Sequence, residues 1–173
     1  MKKCLIIYST TDGHTKKICE HIIDQIMGLQ ETTLMTIADT SQEELTKHDN
    51  IIVGASIRYG KHKKEVHEFI KKNLDVINSK KNYFFSVNAI ARKDNKNTPE
   101  TNPYVIKFLK QTAWNPTLTG VFGGKVDYPK YRFLDKHIIR FIMWLTNGPT
   151  DITKSYEFTD WNSVTTFSMK IAV

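Results

Sequence analysis

Residues 4–8 form a short run apolar at every position, and after a polar loop the apolar residues Ile18, Ile22, Ile23 and Ile26 recur at helical spacing over residues 15–27. A continuous apolar run predicts a strand buried on both faces, and a 3.6-residue period predicts a helix packed on one of them. The alternation repeats along the chain. Residues 33–38 and 51–55 predict a second and a third strand, the third ending in the small residues Gly54, Ala55 and Ser56. A helix over about 63–73 turns Val66, Phe69, Ile70 and Leu74 to one side, and residues 83–87 predict a fourth strand. A helix after Pro99 places Tyr104, Val105, Phe108 and Leu109 inward, and residues 118–122 predict the fifth strand. Asp160 suits the N-cap of a last helix that buries Trp161, Val164, Phe167 and Ile171.

Five strands alternating with helices predict an α/β fold, a parallel sheet with helices on both faces, because each crossover must pass back over the sheet. The 173 residues fit a single domain over residues 1–173. The stretch 123–159 is too long for an ordinary connection and predicts a helical insertion after strand five, at about 125–153. Within it, residues 131–146 read as a helix with a narrow polar face. Arg132, Lys136 and Arg140 recur every four residues as a basic ridge beside Asp135, and Phe133, Leu134, Ile138, Ile139, Phe141, Ile142, Met143, Trp144 and Leu145 fill the rest. That is more apolar surface than one sheet-facing side needs. A partner subunit, a membrane interface, a large apolar substrate or a larger monomer core would each take up the excess. Lys125, Lys130 and Arg132, with Tyr128 and Tyr131, precede the helix and would give an apolar wall a cationic rim.

Charge narrows the partners. Lysine and arginine outnumber aspartate and glutamate 25 to 18, a net +7 that favours anionic ligands or surfaces. Nucleic acid is disfavoured, since the cations are scattered and no reading motif accompanies them. Cys4 and Cys19 show no CxxC spacing and no Cys/His cluster, so no metal site is predicted and both read as free thiols in a reducing compartment. The most hydrophobic segment, residues 138–145, is interrupted by Arg140 and spans less than half a bilayer, and the start MKKCLIIYST is too short for a signal peptide. The expectation is a cytoplasmic chain, peripheral on the inner face of the cell membrane.

The strongest local signal is STTDGHT, residues 9–15, between the first strand and the first helix. Gly13 permits a tight turn, and the hydroxyls of Ser9, Thr10, Thr11 and Thr15 with the free N–H groups of a helix start make an anion cradle. Neither GxxxxGK[ST] nor GxGxxG is present, which points to one small phosphate group; a Ser/Thr-rich turn with a helix cap is the plainer alternative. Ala55, Ser56, Ile57, Arg58, Tyr59 and Gly60 follow strand three, and Ser86, Val87, Asn88, Ala89, Ile90, Ala91 and Arg92 follow strand four. Both lie at the sheet edge where open α/β sheets bind ligands. No acid–base dyad or covalent nucleophile is visible.

Five blocks carry a resemblance over almost the whole chain: YSTTDGHT, VGASIRYGKHKKEVHEFIKKN, FFSVNAIARK, TNPYVIKFLKQTAWNP and GGKVDYPKYRFLDKHIIRFIMWLTNG. The chain resembles the flavodoxin-like family, and more narrowly the menaquinone-dependent protoporphyrinogen IX dehydrogenases, short FMN-containing bacterial oxidases. That resemblance implies the strand order 2-1-3-4-5 and non-covalent FMN, with Ser9, Thr10, Asp12, Gly13, His14 and Thr15 around its phosphate. Asp12, whose carboxylate would repel a phosphate, reads as a turn-former, and His14 as either a phosphate contact or a solvent-exposed residue. The flavin ring would lie between residues 55–60 and 86–92. Arg58 and Tyr59 would be the catalytic side chains, and Asn88 and the loop amides would orient the ring. The implied reaction is oxidation of protoporphyrinogen IX to protoporphyrin IX in haem biosynthesis, with electrons passed to menaquinone or ubiquinone. The alternatives are a flavodoxin-type electron carrier and an FMN-dependent nicotinamide:quinone reductase.

Overall fold

Successive residues of the first strand face opposite sides of the sheet, and both sides are core. Leu5 and Ile7 join Ile51, Val53 and Phe84 in one apolar cluster, and Cys4 and Ile6 join Ile52, Tyr83 and Phe85 in another. The computed structural model describes residues 1–172. In chain order the elements are β1 (Lys2–Ser9), α1 (His14–Ile26), β2 (Gln30–Thr36), α2 (Gln42–Lys47), β3 (Asn50–Arg58), β4 (Lys61–His62), α3 (Lys64–Asn78), β5 (Lys81–Asn88), α4 (Pro103–Thr112), β6 (Leu118–Gly123), β7 (Lys125–Asp127), α5 (Phe133–Leu145), β8 (Ser155–Glu157) and α6 (Trp161–Ala172).

The parallel strands run β2-β1-β3-β5-β6, the expected order 2-1-3-4-5. Helices α3 and α4 bury Val66, Phe69, Ile70, Val105 and Phe108 on one face. Helices α1 and α6 bury Ile18, Ile22, Val164 and Phe167 on the other. Gly54 is required at the centre of β3, because a Cβ there would fall inside the ring of Phe85 on the neighbouring strand. Asp160 caps α6 as expected, its Oδ1 accepting from the Asn162 N–H at 3.0 Å.

The structure corrects several bounds. The second strand begins at Gln30 and ends before Ile37. Its first residue is placed by a buried polar pair, in which Asn50 Nδ2 donates to Gln30 Oε1 at 2.8 Å and Gln30 Nε2 donates to the Ile171 carbonyl. Helix α3 runs on to Asn78, since Asn73 and Ile77 continue its buried stripe. Tyr104, Leu109, Leu74 and Trp161 sit at the core margin, half-buried. A short helix α2, capped by Ser41, was not visible in the periodicity because a single residue, Leu45, faces inward. Strand β3 also extends past Ala55 to Arg58 and folds back on β4 as a hairpin, with Tyr59 and Gly60 at φ +51° and +76°. Two left-handed residues between paired strands form the turn that matches strand twist.

Residues of the insertion make their own small core: Val126, Tyr128, Ile139 and Met143, with Tyr131, Ile152, Tyr156 and Phe158 packed against them. Strands β7 and β8 pair antiparallel, so the insertion extends to Glu157, beyond the expected 153. Cys4 and Cys19 are free and buried; burial pushes the Cys4 thiol up to about 12 and that of Cys19 higher, so both are unreactive.

Candidate functional site

Strands β1, β3 and β5 are neighbours in the sheet, so the loops leaving their carboxyl ends meet at one edge. Helix α5 and the start of the β7–β8 ribbon close over that edge and make a cleft. One end of the cleft is the loop before α1. Gly13 is the N-cap of α1 at φ +85°; no side chain caps the helix and its first turn holds no carboxylate. The first bond of that turn runs from the Lys17 N–H to the Gly13 carbonyl, leaving the earlier amides and the positive end of the helix dipole for an anion. Thr15 is fully buried, and its Oγ1 is the one buried side-chain polar atom without a partner among the described residues. An orphaned hydroxyl costs about 1–3 kcal/mol, which a phosphate oxygen would offset. The donor set therefore fits the phosphate of FMN.

Several expected cradle members have other partners. Ser9 is buried beneath the loop and donates from Oγ to Glu65 Oε1 at 2.6 Å. Thr10 Oγ1 accepts from the Gly13 N–H at 3.0 Å and so shapes the turn. Asp12 is more than a turn-former: its Oδ2 lies 2.7 Å from Arg58 Nη1, which neutralises the carboxylate beside the anion cradle. His14 is half-buried and has a partner. Its Nε2 is 2.6 Å from Thr159 Oγ1 and its ring packs edge-on against Trp161, although it still borders the cleft. Burial, reinforced by Lys17 and Lys125 and opposed by Glu157, holds its pKa below the usual histidine range.

Arg58 joins three parts of the site. Besides Asp12 it lies 4.0 Å from Asp135 on α5, and its guanidinium stacks 4.9 Å from the Tyr131 ring and 5.6 Å from the Tyr59 ring. Burial alone would lower its pKa, but Asp12, Tyr131 and Tyr59 outweigh that and hold it above the usual range. Tyr59, 45% exposed at the hairpin tip, donates its hydroxyl to Asp135. Ser56, Ile57 and Gly60 line the cleft with them, whereas Ala55 is buried in the core.

In the third loop Val87, Asn88, Ala89, Ile90 and Arg92 border the cleft, and Ala91 belongs to the core. Asn88 is buried and holds the loop. Its Oδ1 accepts from the Ala91 N–H and from Asn102 Nδ2, each at 3.1 Å. Arg92 is a clamp rather than a free charge, donating from Nη1 to the Ala89 carbonyl at 2.8 Å and from Nη2 to the Thr146 carbonyl at 2.6 Å. It pins the end of α5 to this loop. Ser86 lies below the cleft, 3.0 Å from Nε2 of the buried His62.

Burial, with a smaller contribution from His67, pushes His62 down to about 3. Its unfolded value is about 6.5, so the unfolded chain takes up the proton first on acidification. The stability this neutral histidine contributes is complete above pH 6.5 and is lost progressively as pH falls toward 3. Urea unfolding at pH 7 and pH 5 should show a loss of up to about 1.4 kcal/mol per pH unit, and a His62→Gln variant a smaller loss. Equal losses in the two proteins would refute the assignment.

The far wall of the cleft is the apolar wall the insertion offered as one of several outlets for its surplus, but its individual residues were not singled out. Tyr131, Ile139, Ile142, Met143 and Thr146 line it with Gly124, Lys125 and Val126. The spacing of 139, 142, 143 and 146 was a legible signal, hidden by the further apolar residues on the same helix. The cationic rim expected ahead of α5 is mostly spent: Lys125 and Lys130 both turn to Asp127 Oδ2, at 3.3 and 3.5 Å.

The family described as "Flavodoxin domain" matches residues 5–153. A protein of Leishmania major named protoporphyrinogen IX dehydrogenase [quinone] is 42% identical over 172 residues, covering 98% of this chain and 74% of that one. A protein of the same name from Escherichia coli K12 is 37% identical over 172 residues, covering 98% and 94%. Among solved structures, oxidised flavodoxin 2 from Bacillus cereus superimposes with a TM-score of 0.57 at 17% identity, covering 98% of this chain and 97% of that one, a likeness of fold.

Proposed function

This chain belongs to the flavodoxin-domain family, in the branch of the quinone-dependent protoporphyrinogen IX dehydrogenases, and on that premise we propose that it oxidises protoporphyrinogen IX to protoporphyrin IX with FMN and passes the electrons to a quinone in haem biosynthesis. The observation that carries this reading is the extent of the similarity. It runs through 172 residues, and so includes the insertion whose α5 supplies the apolar wall of the cleft.

When bound, FMN supplies the chemistry of accepting electron pairs from an organic donor and releasing them to a quinone, here over three successive two-electron oxidations. The chain's own residues do the rest. The α1 amides and Thr15 would hold the phosphate. Ile57, the hairpin tip and the loop after β5 line the cleft and would wall the ring. Ile139, Ile142 and Met143 exclude water. Arg58 places a positive charge at the end where electrons arrive, steadied by Asp12 and stacked on Tyr131.

The quinone is confined to a bilayer, and among the described residues no helix is long and apolar enough to cross a membrane. Helix α5 exposes Phe133 (80%), Leu134, Phe141, Trp144 (64%) and Leu145, with Arg132 and Arg140 beside them. This apolar face with a cationic border suits an anionic bilayer surface, and we place the enzyme there peripherally.

The test is anaerobic. FMN-loaded protein mixed with protoporphyrinogen IX should lose its oxidised-flavin absorbance and regain it on addition of menaquinone or ubiquinone. Bleaching by a reduced nicotinamide and not by protoporphyrinogen IX would overturn the reading in favour of a nicotinamide:quinone reductase; bleaching by neither would favour an electron carrier.

A further inference from the structure

Beside the cleft, and separated from it by Tyr59, Gly60 and Tyr104, lies a groove of about 680 Å³ between the β3–β4 hairpin, the start of α3 and α4. Its volume lies within the range of small-molecule sites. The floor is aromatic: Phe108 is buried there against His62, and Tyr104 and His67 stand beside it. The rim is cationic. Lys63 is committed to the Thr10 carbonyl at 2.9 Å, and Lys64 to Glu68 at 3.1 Å. Lys61 on β4 and Lys107 on α4 are both exposed, and neither has an acidic partner within 4.0 Å among the described residues. The acid at the groove's edge, Asp135, is occupied by Tyr59 and Arg58.

We propose that this groove, rather than the cations ahead of α5, binds the carboxylates of a flat, apolar dicarboxylate macrocycle, with Lys61 and Lys107 as the two cations that receive them; the proposal rests on the function stated above. The groove offers the half-buried rings of Tyr104 and His67, backed by buried Phe108, together with two separate point charges on different elements. That pattern matches a large apolar body with anionic groups at its margin. It shares the Tyr59–Tyr104 wall with the redox cleft, so a macrocycle anchored there lies directly beside the flavin side. Burial, then Lys71 and Lys107, hold the pKa of His67 below the usual range.

The experiment titrates FMN-loaded protein with protoporphyrin IX and, separately, with its dimethyl ester, following porphyrin fluorescence. The proteins compared are wild type, Lys61→Glu, Lys107→Glu, the double variant and Lys170→Glu, a charge control on α6. Loss of a charged hydrogen bond corresponds to about tenfold or more in affinity. The diacid should therefore bind about tenfold more weakly to each groove variant and more weakly still to the double. The ester should bind all proteins alike, and Lys170→Glu should match wild type. A double variant that binds the diacid like wild type, or a wild type that binds ester and diacid equally, would overturn the proposal. Displacement of protoporphyrin IX by NADPH, lost with the same lysines, would also overturn it by making the groove a nucleotide site. Bleaching of wild-type flavin by protoporphyrinogen IX in the same samples separates the levels. Bleaching with unchanged diacid binding in the double variant refutes the groove and leaves the function standing, whereas neither bleaching nor porphyrin binding in wild type refutes both.

Discussion

Replacing Arg58 with alanine should slow reduction of the bound flavin by protoporphyrinogen IX about a hundredfold, the effect of removing one pre-placed electrostatic stabiliser. The guanidinium is four-fifths shielded from water, so its charge is poorly screened and acts on the cleft it lines. FMN affinity should also fall, by about tenfold, for a different reason. Arg58 neutralises Asp12, and alanine would leave an unpaired carboxylate beside the phosphate cradle. An Asp12→Asn, Arg58→Ala double variant separates the two effects. FMN affinity should return to within about threefold of wild type as the repulsion disappears, and the slow reduction should persist. Flavin fluorescence titration reads the first quantity and anaerobic stopped-flow absorbance the second. If the double variant recovers the wild-type reduction rate, Arg58 serves only to silence Asp12.

The second large effect is expected at the membrane. Phe141 and Trp144 stack on each other on the outer side of α5, exposed by 57% and 64%. Each large apolar side chain is worth about 1.5–3 kcal/mol when fully removed from water, and about half of that when it enters only the interface. A Phe141→Ser, Trp144→Ser variant should therefore bind anionic liposomes about tenfold to a hundredfold more weakly and turn over a long-tailed quinone slowly. Its FMN content and its rate with a water-soluble quinone should be unchanged. Ile139 is unsuitable for this test, because it is buried against Met143 and lines the cleft. Changing Lys136 and Arg140 to glutamine should weaken binding by about 1 kcal/mol per cation, most visibly at low salt. Sedimentation unchanged for both variants would remove the bilayer and turn attention to a second copy of the chain as the cover for α5.

The five parallel strands and the helices that alternate with them, α2 excepted, were legible because each depends on a short-range period. Residues 4–8 can be buried on both faces only in a central strand, and the stripe through Ile18, Ile22 and Ile26 has one apolar side whatever it packs against. The loop proposed to hold the phosphate was legible as a candidate for the same reason: its glycine, Thr15 and its helix start are contiguous, whereas the local pattern did not show that the hydroxyls of Ser9 and Thr10 have other partners. The hairpin was not read, although Tyr59–Gly60 supplied its turn, because the two-residue strand β4 is too short to show an alternation.

The sequence by itself determined a doubly wound α/β sheet, a candidate anion loop after the first strand, basic and apolar surplus in a late insertion, and the family to which these blocks belong. Only the tertiary structure decided which face of α5 meets the cleft and which meets solvent. It also decided that Arg58 pairs with Asp12, 46 residues away, that His14 is held by Thr159, 145 residues away, and that Lys125 and Lys130 are spent on Asp127 while Lys61 and Lys107 have no acidic partner among the described residues. The physical reason is that periodicity records how a segment divides core from solvent about its own axis. Charge pairing and wall-building depend on distances set when remote segments close on one another, and no local pattern carries those distances.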